Sequence, residues 1–256
     1  MDYETILVER RDHITTITLN RPDALNAFND TMCAEFAALW SDIRDDDDVR
    51  CVVLRAAGDR AFSTGADSRA GRTYPSNIWN RGDPGDELGP KRNKVWKPVI
   101  CAIHGMCAGG AFYWVNEADI IICSEDATFF DPHVTYGRTS ALEPIGMRYR
   151  MPLGEVLRVV LLGLNERMSA ERAREIGLVS EIVPGHQLHA RAQQLAEIVA
   201  SKPPTGIQGS IKAIWQSIDI PRAQALDLAT NYPIVSKTVQ TPETLDTTSR
   251  PGWTLR

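Results

Sequence analysis

Three short runs made up almost entirely of aliphatic and cysteine residues constrain the fold of this chain more than any other feature. They lie at residues 51–54, 99–103 and 119–123, and a fourth run at 14–19 is β-branched and alternating and ends in a turn sequence. Each run has the length of a buried strand, and the intervals between runs leave room for a helix or a long loop. The pattern predicts an α/β fold.

Apolar residues at helical spacing predict the helices. An early stripe, with Asn29 as its N-cap and the acidic residues 45–48 as the loop that ends it, consists of Phe28, Met32, Phe36, Leu39 and Ile43. After residue 150 the chain becomes helical, with one helix opened by Ser169 and stopped by Gly177. Two further stripes are Leu157, Val160, Leu161 and Leu164, and then Leu188, Ala192, Leu195 and Val199.

Composition narrows the possible functions. The 256 residues carry a formal charge of -5 and are 43% hydrophobic, which fits one folded domain and argues against a basic face for nucleic acid. Residues 1–7 do not resemble a signal peptide, and no apolar run reaches the ~18 residues of a membrane helix. We therefore expect a cytoplasmic protein with neither a nucleic-acid nor a membrane partner. The five cysteines include no C-x-x-C pair, which favours buried reduced thiols.

Fingerprints of common cofactor and metal sites are missing. The sequence has no G-x-G-x-x-G, G-x-x-x-x-G-K-S/T, G-x-S-x-G or H-E-x-x-H. His186 and His189 are three residues apart, but no further ligand-type residue lies at the right spacing, which favours a solvated pair over a metal site. We expect no metal and no permanently bound cofactor.

Two glycine-containing turns, at residues 61–67 and 104–111, each follow a predicted buried strand. Free backbone N–H groups where a loop enters a helix can bind an anion or a developing oxyanion. One such turn alone is more often only a tight turn. The two together favour an oxyanion site.

The sequence around these turns resembles the enoyl-CoA hydratase/isomerase (crotonase) superfamily. The matching segments are LNRPDALNA (19–27), AFSTGAD (61–67), PVICAIHGMCAGG (98–110), ADIII (118–122), ATFFDP (127–132) and AREIGLVSEIV (173–183). They occur in order and at family spacing over roughly residues 5–215.

The resemblance implies a crotonase-like spiral of ββα units in one domain, residues 1–256, with 1–200 as the core and 201–256 as a C-terminal helical trimerisation region and tail. It implies a coenzyme A thioester as substrate and a homotrimer or a dimer of trimers. The backbone N–H groups of Ala66 and Gly110 would form the oxyanion hole. The residues implied to contact coenzyme A are Asp23, Ala24, Leu25, Thr64, Asp67, Ser68 and Arg69.

Two positions depart from the family pattern. Family hydratases place two glutamates around the reacting water, where this chain has Tyr113 and His133. Hydration needs one group to deprotonate water and another to protonate the α-carbon, so the replacements argue against ordinary enoyl-CoA hydration. They favour a lyase or hydrolase step on a β-functionalised acyl-CoA. The alternatives are a hydratase with a non-standard residue set and a non-catalytic acyl-CoA-binding protein.

Three side chains are candidates for the chemistry. His133 is predicted to act as acid/base, because an imidazole has a pKa of ~6.5, and Tyr113 to donate a hydrogen bond, because a phenol with a pKa of ~10 stays protonated. Glu143 is predicted to orient the imidazole; it resembles, one position out of register, a carboxylate in family members that hydrolyse β-diketones. The alternatives are a pocket wall for Tyr113 and a helix N-terminus for Glu143, which precedes Pro144.

One segment reverses the overall acidity. Residues 69–97 hold seven basic and three acidic residues, a local charge of +4. We expect this segment to meet the phosphates of coenzyme A, with Tyr74 and Trp79 near the acyl group. Its basic residues are Arg69, Arg72, Arg81, Lys91, Arg92, Lys94 and Lys97.

Overall fold

The computed structural model describes residues 3–70, 76–80, 82–239 and 252–255. The strands are β1 (Ile6–Arg11), β2 (Ile14–Leu19), β3 (Cys51–Ala56), β4 (Ala61–Ser63), β5 (Val99–Ile103), β6 (Met106–Ala108), β7 (Ile120–Ser124), β8 (Thr128–Phe130), β9 (Met168–Ser169) and β10 (Glu181–Val183). The helices are α1 (Asp30–Asp45), α2 (Gly85–Leu88), α3 (Phe112–Val115), α4 (Leu142–Met147), α5 (Leu153–Leu162), α6 (Ala170–Glu175), α7 (Leu188–Ala200), α8 (Pro204–Gln216), α9 (Arg222–Ala229) and α10 (Asn231–Val239). The predicted α/β layout and helical C-terminal region are confirmed. None of these helices is long and apolar enough to cross a membrane.

The larger sheet has the strand order β1-β2-β3-β5-β7-β10. Its strands pair in parallel except at the edge, where β1 runs antiparallel to β2. β2 and β5 have the bounds that the sequence predicted. β1 was missed, because it is an edge strand whose last three residues are charged and exposed.

The smaller sheet places the ends of three strands side by side. Its order is β4-β6-β8-β9, and β4, β6 and β8 are parallel neighbours. Each of these three strands follows a strand of the larger sheet along the chain: β4 follows β3, β6 follows β5, and β8 follows β7. Because parallel neighbours end at the same edge, the turns after Ser63, Ala108 and Phe130 come together.

A buried aromatic cluster supports that edge. Trp114 packs against Phe28, Phe36 and Phe62, with ring centroids 5.9, 5.2 and 6.3 Å away. Phe36 lies on α1, and the predicted cap of this helix is confirmed, since Asn29 Oδ1 accepts a backbone hydrogen bond at 3.0 Å. The cluster therefore joins the first helix to the turn that follows β6.

The stripe predicted on α5 faces away from the core. Leu157 and Leu161 are 48% and 68% exposed, whereas Val156 and Val159 are buried. The helix is present, but it is apolar on nearly every side. Spacing alone could not select the buried face.

Trp215 on α8 anchors the C-terminal helices to the core. Its indole N–H donates to Asp119 Oδ1 at 2.7 Å, and Asp119 Oδ2 accepts from Lys91 Nζ at 2.8 Å. The Arg150 guanidinium lies 5.0 Å from the indole centroid. One hydrogen bond and a stacked cation thus hold α8 against an acid that Lys91 also neutralises.

We expect Trp215→Phe to lower the free energy of unfolding by about 1–2 kcal/mol, because the substitution removes the hydrogen bond to Asp119 and keeps an aromatic ring. Urea denaturation checks this. Trp79→Phe is the control, since Trp79 is 88% exposed and should leave the midpoint unchanged. Equal midpoints for both variants would contradict an anchoring role for Trp215.

Candidate active site

Three turns meet at the carboxyl edge of the smaller sheet. The turn after β4 carries Gly65 and Ala66, the turn after β6 carries Gly109 and Gly110, and the segment after β8 leads into a 3-10 helix, His133–Tyr136. A Cβ atom built on Gly109 would lie 3.6 Å from the Cε1 atom of His133. The imidazole is therefore next to the second glycine turn.

The first two turns touch through glycine backbone. Gly65 has a φ of +84°, and a Cβ atom there would lie 2.6 Å from the nitrogen of Gly110. A Cβ atom on Gly110 would lie 2.6 Å from Cε1 of Phe28. A side chain at Gly65 would force the two turns apart, and one at Gly110 would collide with the buried Phe28 ring, which favours glycine at both positions.

The backbone N–H groups of Ala66 and Gly110, which the family resemblance implies as oxyanion donors, lie on these two adjoining turns. Beside Ala66, Phe28 N–H donates to Gly65 O and Asp67 N–H donates to Phe28 O, both at 2.8 Å. Within the described ranges, neither Ala66 N–H nor Gly110 N–H donates to another group of the chain. Both N–H groups remain available at adjoining turns, which suits stabilisation of a developing oxyanion.

His133 is held by a carboxylate that the sequence reading overlooked. Asp131 is fully buried, and its Oδ1 lies 2.8 Å from His133 Nδ1 and accepts His133 N–H at 2.9 Å. Ser140 Oγ donates to Asp131 Oδ2 at 2.8 Å. The sequence signal for this contact is the spacing of two residues in Asp-Pro-His, which allows the carboxylate to reach the imidazole. The resemblance to the family pointed to this segment, but for His133 alone.

The contact between Asp131 and His133 changes the proton affinity of both groups. The hydrogen bond to Asp131 raises the pKa of His133, although partial burial acts in the opposite direction. Burial alone would raise the pKa of Asp131, but the hydrogen bonds from His133 and Ser140 outweigh it and the pKa falls. Asp131 therefore stays ionised and fixes the imidazole with Nδ1 turned toward it.

Glu143 lies on the opposite side of the imidazole. It is buried in the first turn of α4, and its Oε1 is 3.9 Å from His133 Nε2. Asp131, not Glu143, holds the ring in place, so the predicted orienting contact belongs to a different carboxylate. Burial raises the pKa of Glu143, which makes it a candidate acid. Its position in a helical first turn also agrees with the helix-terminus alternative.

Tyr113 follows the second glycine turn on α3 and is half-buried. Its hydroxyl donates to Asp83 Oδ2 at 3.0 Å, and the second carboxyl group near enough to affect its pKa is that of Glu143. Burial and the two carboxyl groups raise the pKa of Tyr113, so the phenol keeps its proton. The sequence predicted that this hydroxyl donates a hydrogen bond within the active site. In the structure the hydroxyl donates to Asp83. Asp83 had been read only as one charge of segment 69–97.

The segments predicted to contact coenzyme A touch each other beside the first turn. Thr64 N–H donates to Leu25 O at 3.2 Å, and Arg21 Nη2 donates to Asp67 Oδ2 at 2.9 Å. Asp67 Oδ1 accepts the N–H of Arg69 at 3.0 Å. Both carboxylate oxygens of Asp67 are therefore already bound by groups of the chain itself. The remaining predicted contacts are exposed or half-buried: Asp23, Ala24, Leu25, Thr64, Ser68 and Arg69.

The basic segment is less available than its charge suggested. Lys91 Nζ is paired with Asp119, and the buried Lys97 donates to the carbonyls of Ile43 and Asp46. These two lysines hold the fold together, and reading them as phosphate ligands was wrong. Arg72, Arg81 and Tyr74 lie outside the described residues, and Trp79 is almost fully exposed.

A cavity of about 360 Å³ adjoins the Tyr113 side of the site. Asp83 and Tyr113 form part of its wall, and aromatic side chains of Trp96, Tyr149 and Trp215 form another part. Among the described residues, no group of three His, Cys, Asp or Glu side chains is arranged to hold a metal ion.

Comparison with known proteins gives consistent matches over most of the chain. A family model described as enoyl-CoA hydratase/isomerase matches residues 9–245. The (E)-benzylidenesuccinyl-CoA hydratase of Thauera aromatica is 31% identical over 221 residues, which cover 84% of each chain. The 1,2-epoxyphenylacetyl-CoA isomerase of Escherichia coli is 31% identical over 237 residues, 88% of this chain and 85% of that one.

Solved structures agree in fold. The crystal structure of an enoyl-CoA hydratase/isomerase from Mycobacterium paratuberculosis has a TM-score of 0.84 and 39% identity. The match covers 94% of this chain and 92% of the other.

We expect Asp131→Asn to lower the pKa of His133 by about one unit or more, because the ionised partner that raises it is lost while the burial that lowers it remains. NMR titration of the imidazole Cε1–H resonance measures the change. Ser140→Ala is the control: it removes a donor to Asp131 but leaves the carboxylate on His133 Nδ1, so the His133 titration should move little. An unchanged His133 pKa in Asp131→Asn would contradict this account of the site.

Proposed function

The chain belongs to the enoyl-CoA hydratase/isomerase family, and on that premise we propose that it catalyses a lyase step at the β-carbon of an acyl-CoA thioester. The observation that carries the proposal is the arrangement of His133 between two carboxyl groups, with Asp131 at Nδ1 and Glu143 3.9 Å from Nε2. Addition or elimination of water across the α,β bond is the simplest reaction of this class.

Stabilisation of the thioester oxygen is assigned to the two glycine turns. When a nucleophile adds to the β-carbon of an enoyl thioester, an electron pair moves to the carbonyl oxygen and an enolate forms. The N–H groups of Ala66 and Gly110 are the proposed donors to that oxygen. Fixed backbone donors need no reorganisation as the charge develops, which is why they are effective.

Proton transfer is assigned to His133 and Glu143. His133 Nε2 would remove a proton from water as the water oxygen bonds to the β-carbon, and protonated Glu143 would deliver a proton to the α-carbon. Asp131 stabilises the imidazolium that forms. The 3.9 Å separation between the two groups then favours return of the proton from His133 to Glu143, which restores both to their starting forms.

This assignment answers the sequence-based argument against hydration. That argument assumed that no second proton-transfer group stands in for the missing family glutamates. Glu143 has a raised pKa and lies beside His133, so it supplies the acid that the reaction needs. The proposal therefore includes hydration with a non-standard residue set.

A second candidate is hydrolysis of a C–C bond in a β-dicarbonyl substrate. The imidazole–carboxylate dyad of His133 and Asp131 favours it, because such a dyad activates water for attack on a carbonyl. The oxyanion donors would serve the resulting tetrahedral oxyanion equally well. The two candidates differ in their substrates and not in the base.

We expect the purified protein to hydrate an enoyl-CoA, and His133→Ala to reduce the turnover by about 10²–10⁴-fold because the base is lost. The substrate panel is crotonyl-CoA, an aryl-substituted enoyl-CoA suited to the aromatic cavity wall, a β-ketoacyl-CoA and a cyclic β-diketone. His186→Ala is the control, since His186 is an exposed imidazole away from the site.

The outcomes of this panel separate the candidates. Hydration that is unaffected by His133→Ala would overturn the proposed mechanism. Turnover of only the β-ketoacyl-CoA or the β-diketone would favour the hydrolase, and coenzyme A binding without any turnover would favour a non-catalytic binding protein.

We expect Gly65→Ala to reduce turnover by about 10²–10³-fold, because its Cβ atom would collide with the nitrogen of Gly110 and displace an oxyanion donor. Gly177→Ala is a matched control: its φ of +85° imposes similar backbone strain, of about 1–2 kcal/mol, but its Cβ atom meets nothing within 4 Å. Steady-state kinetics and thermal denaturation of both variants separate displacement of the donor from strain. Equal losses of activity would count against the oxyanion hole.

A further inference from the structure

The cavity beside Tyr113 borders the groups that are proposed to carry the reaction. Asn116 lines this cavity, and its Nδ2 donates to the backbone carbonyl of Glu143 at 2.9 Å. Leu142, the residue before Glu143, lines it as well. Glu143 Oε1 in turn lies 3.9 Å from His133 Nε2. The cavity therefore borders the turn of α4 that faces the imidazole.

Aromatic contacts link the same cavity to the second glycine turn. The ring centroids of Tyr113 and Phe28 are 6.2 Å apart, and a Cβ atom on Gly110 would lie 2.6 Å from Cε1 of Phe28. The residues predicted to contact coenzyme A are all described, and none of them lines the cavity. A thioester with its carbonyl oxygen at the two turns can therefore direct its coenzyme A toward the first turn and its acyl group toward the cavity.

The charged groups in the described cavity wall are bound by the chain or exposed. Lys91 Nζ lies in an ion pair with the acid that anchors α8, and Glu117 Oε2 accepts the backbone N–H of Lys91 at 2.6 Å. Both oxygens of Asp83 accept hydrogen bonds from the chain, at 2.8 and 3.0 Å. Arg92 and Asp219 are exposed. The wall therefore offers a free charge only in its exposed part, which favours an uncharged group inside.

The apolar part of the wall contains three aromatic rings, those of Trp96, Tyr149 and Trp215. Trp215 is held by its hydrogen bond and its stacked cation, and Lys212 Nζ lies 5.8 Å from the ring centroid of Trp96. Rings that are already held in place lose little conformational freedom when a ligand binds. Aromatic pairs also gain attraction beyond the area that they bury. The wall therefore favours a flat aromatic group over an aliphatic one of similar size.

We propose that this cavity binds the acyl group of the substrate and selects an aromatic ring attached at the β-carbon, with Trp96 and Tyr149 as the residues that determine the preference. Its volume of about 360 Å³ is at the small end of the ~300–1,000 Å³ range of ligand pockets, which suits an acyl group and not the whole of coenzyme A. The proposal rests on the proposed function for the placement of the thioester. The preference for the ring is a property of binding and needs no turnover.

Isothermal titration calorimetry with three saturated thioesters tests the proposal. They are 3-phenylpropanoyl-CoA, 3-cyclohexylpropanoyl-CoA and butanoyl-CoA, which have neither a double bond nor a β-hydroxyl and so cannot undergo the proposed reaction. We expect the phenyl compound to bind about 3–10-fold more tightly than the cyclohexyl compound, because only the phenyl ring pairs with the aromatic wall. We expect it to bind at least about 10-fold more tightly than butanoyl-CoA, which leaves the cavity unfilled.

Two substitutions locate the preference in the wall. Trp96→Leu and Tyr149→Leu keep apolar contact and remove the ring, so each should lower the ratio of phenyl to cyclohexyl affinity at least about twofold. The affinity for butanoyl-CoA should change little. Trp253→Leu is the control, because Trp253 is 86% exposed and does not line the cavity. A ratio of two affinities is not moved by a general loss of folded protein.

Each outcome bears on the proposal. Phenyl and cyclohexyl compounds that bind equally well to the unmodified protein would overturn it, as would a ratio that stays the same in both variants. If Trp96→Leu does not fold, the unmodified protein and Tyr149→Leu decide the question, since Tyr149 is half-exposed. A phenyl preference in a protein that turns over no acyl-CoA would sustain this inference and defeat the proposed function. Hydration of crotonyl-CoA without a phenyl preference would do the reverse.

Discussion

The contact between the Gly65 and Gly110 backbones is the constraint on which the rest of the site depends. It exists because β4 and β6 are parallel neighbours, which brings their carboxyl ends to one edge, and because neither glycine has a side chain to separate them. Phe28 closes the contact from the other side and links it to the buried Trp114. The turns that carry the two N–H groups are thus packed against the buried core.

Much of the fold followed from the sequence because its signals are local. β2 and β5 could be placed closely, since each is a short apolar run between turn residues, and α1 was recognisable from one apolar stripe and the Asn29 cap. β1 and the buried face of α5 could not be placed in the same way. The first is charged along an exposed edge, and the second is apolar on nearly every side, so periodicity carried little information.

The candidate site was less accessible to sequence reasoning, because its decisive contacts join distant segments. His133, Tyr113 and Glu143 stood out only through their places in a family pattern. Asp83 reaches Tyr113 across 30 positions, and no spacing rule connects them. Counting charges also gave Lys97 the wrong role, that of a phosphate ligand. Its ammonium donates to backbone carbonyls that lie near it only in the folded chain.

Three titratable side chains meet where the segment after β8 faces the first turn of α4: Asp131, His133 and Glu143. Asp131 lies against Nδ1 of His133, and Glu143 lies 3.9 Å from Nε2 on the other side of the ring. Asp131 favours the protonated form of the imidazole, whereas burial favours the protonated form of Glu143. The titrations of His133, Asp131 and Glu143 are therefore coupled, and none of them belongs to one residue alone. In the proposed reaction Asp131 therefore matters as much as the groups that would touch substrate, because it sets how readily the imidazole takes up a proton.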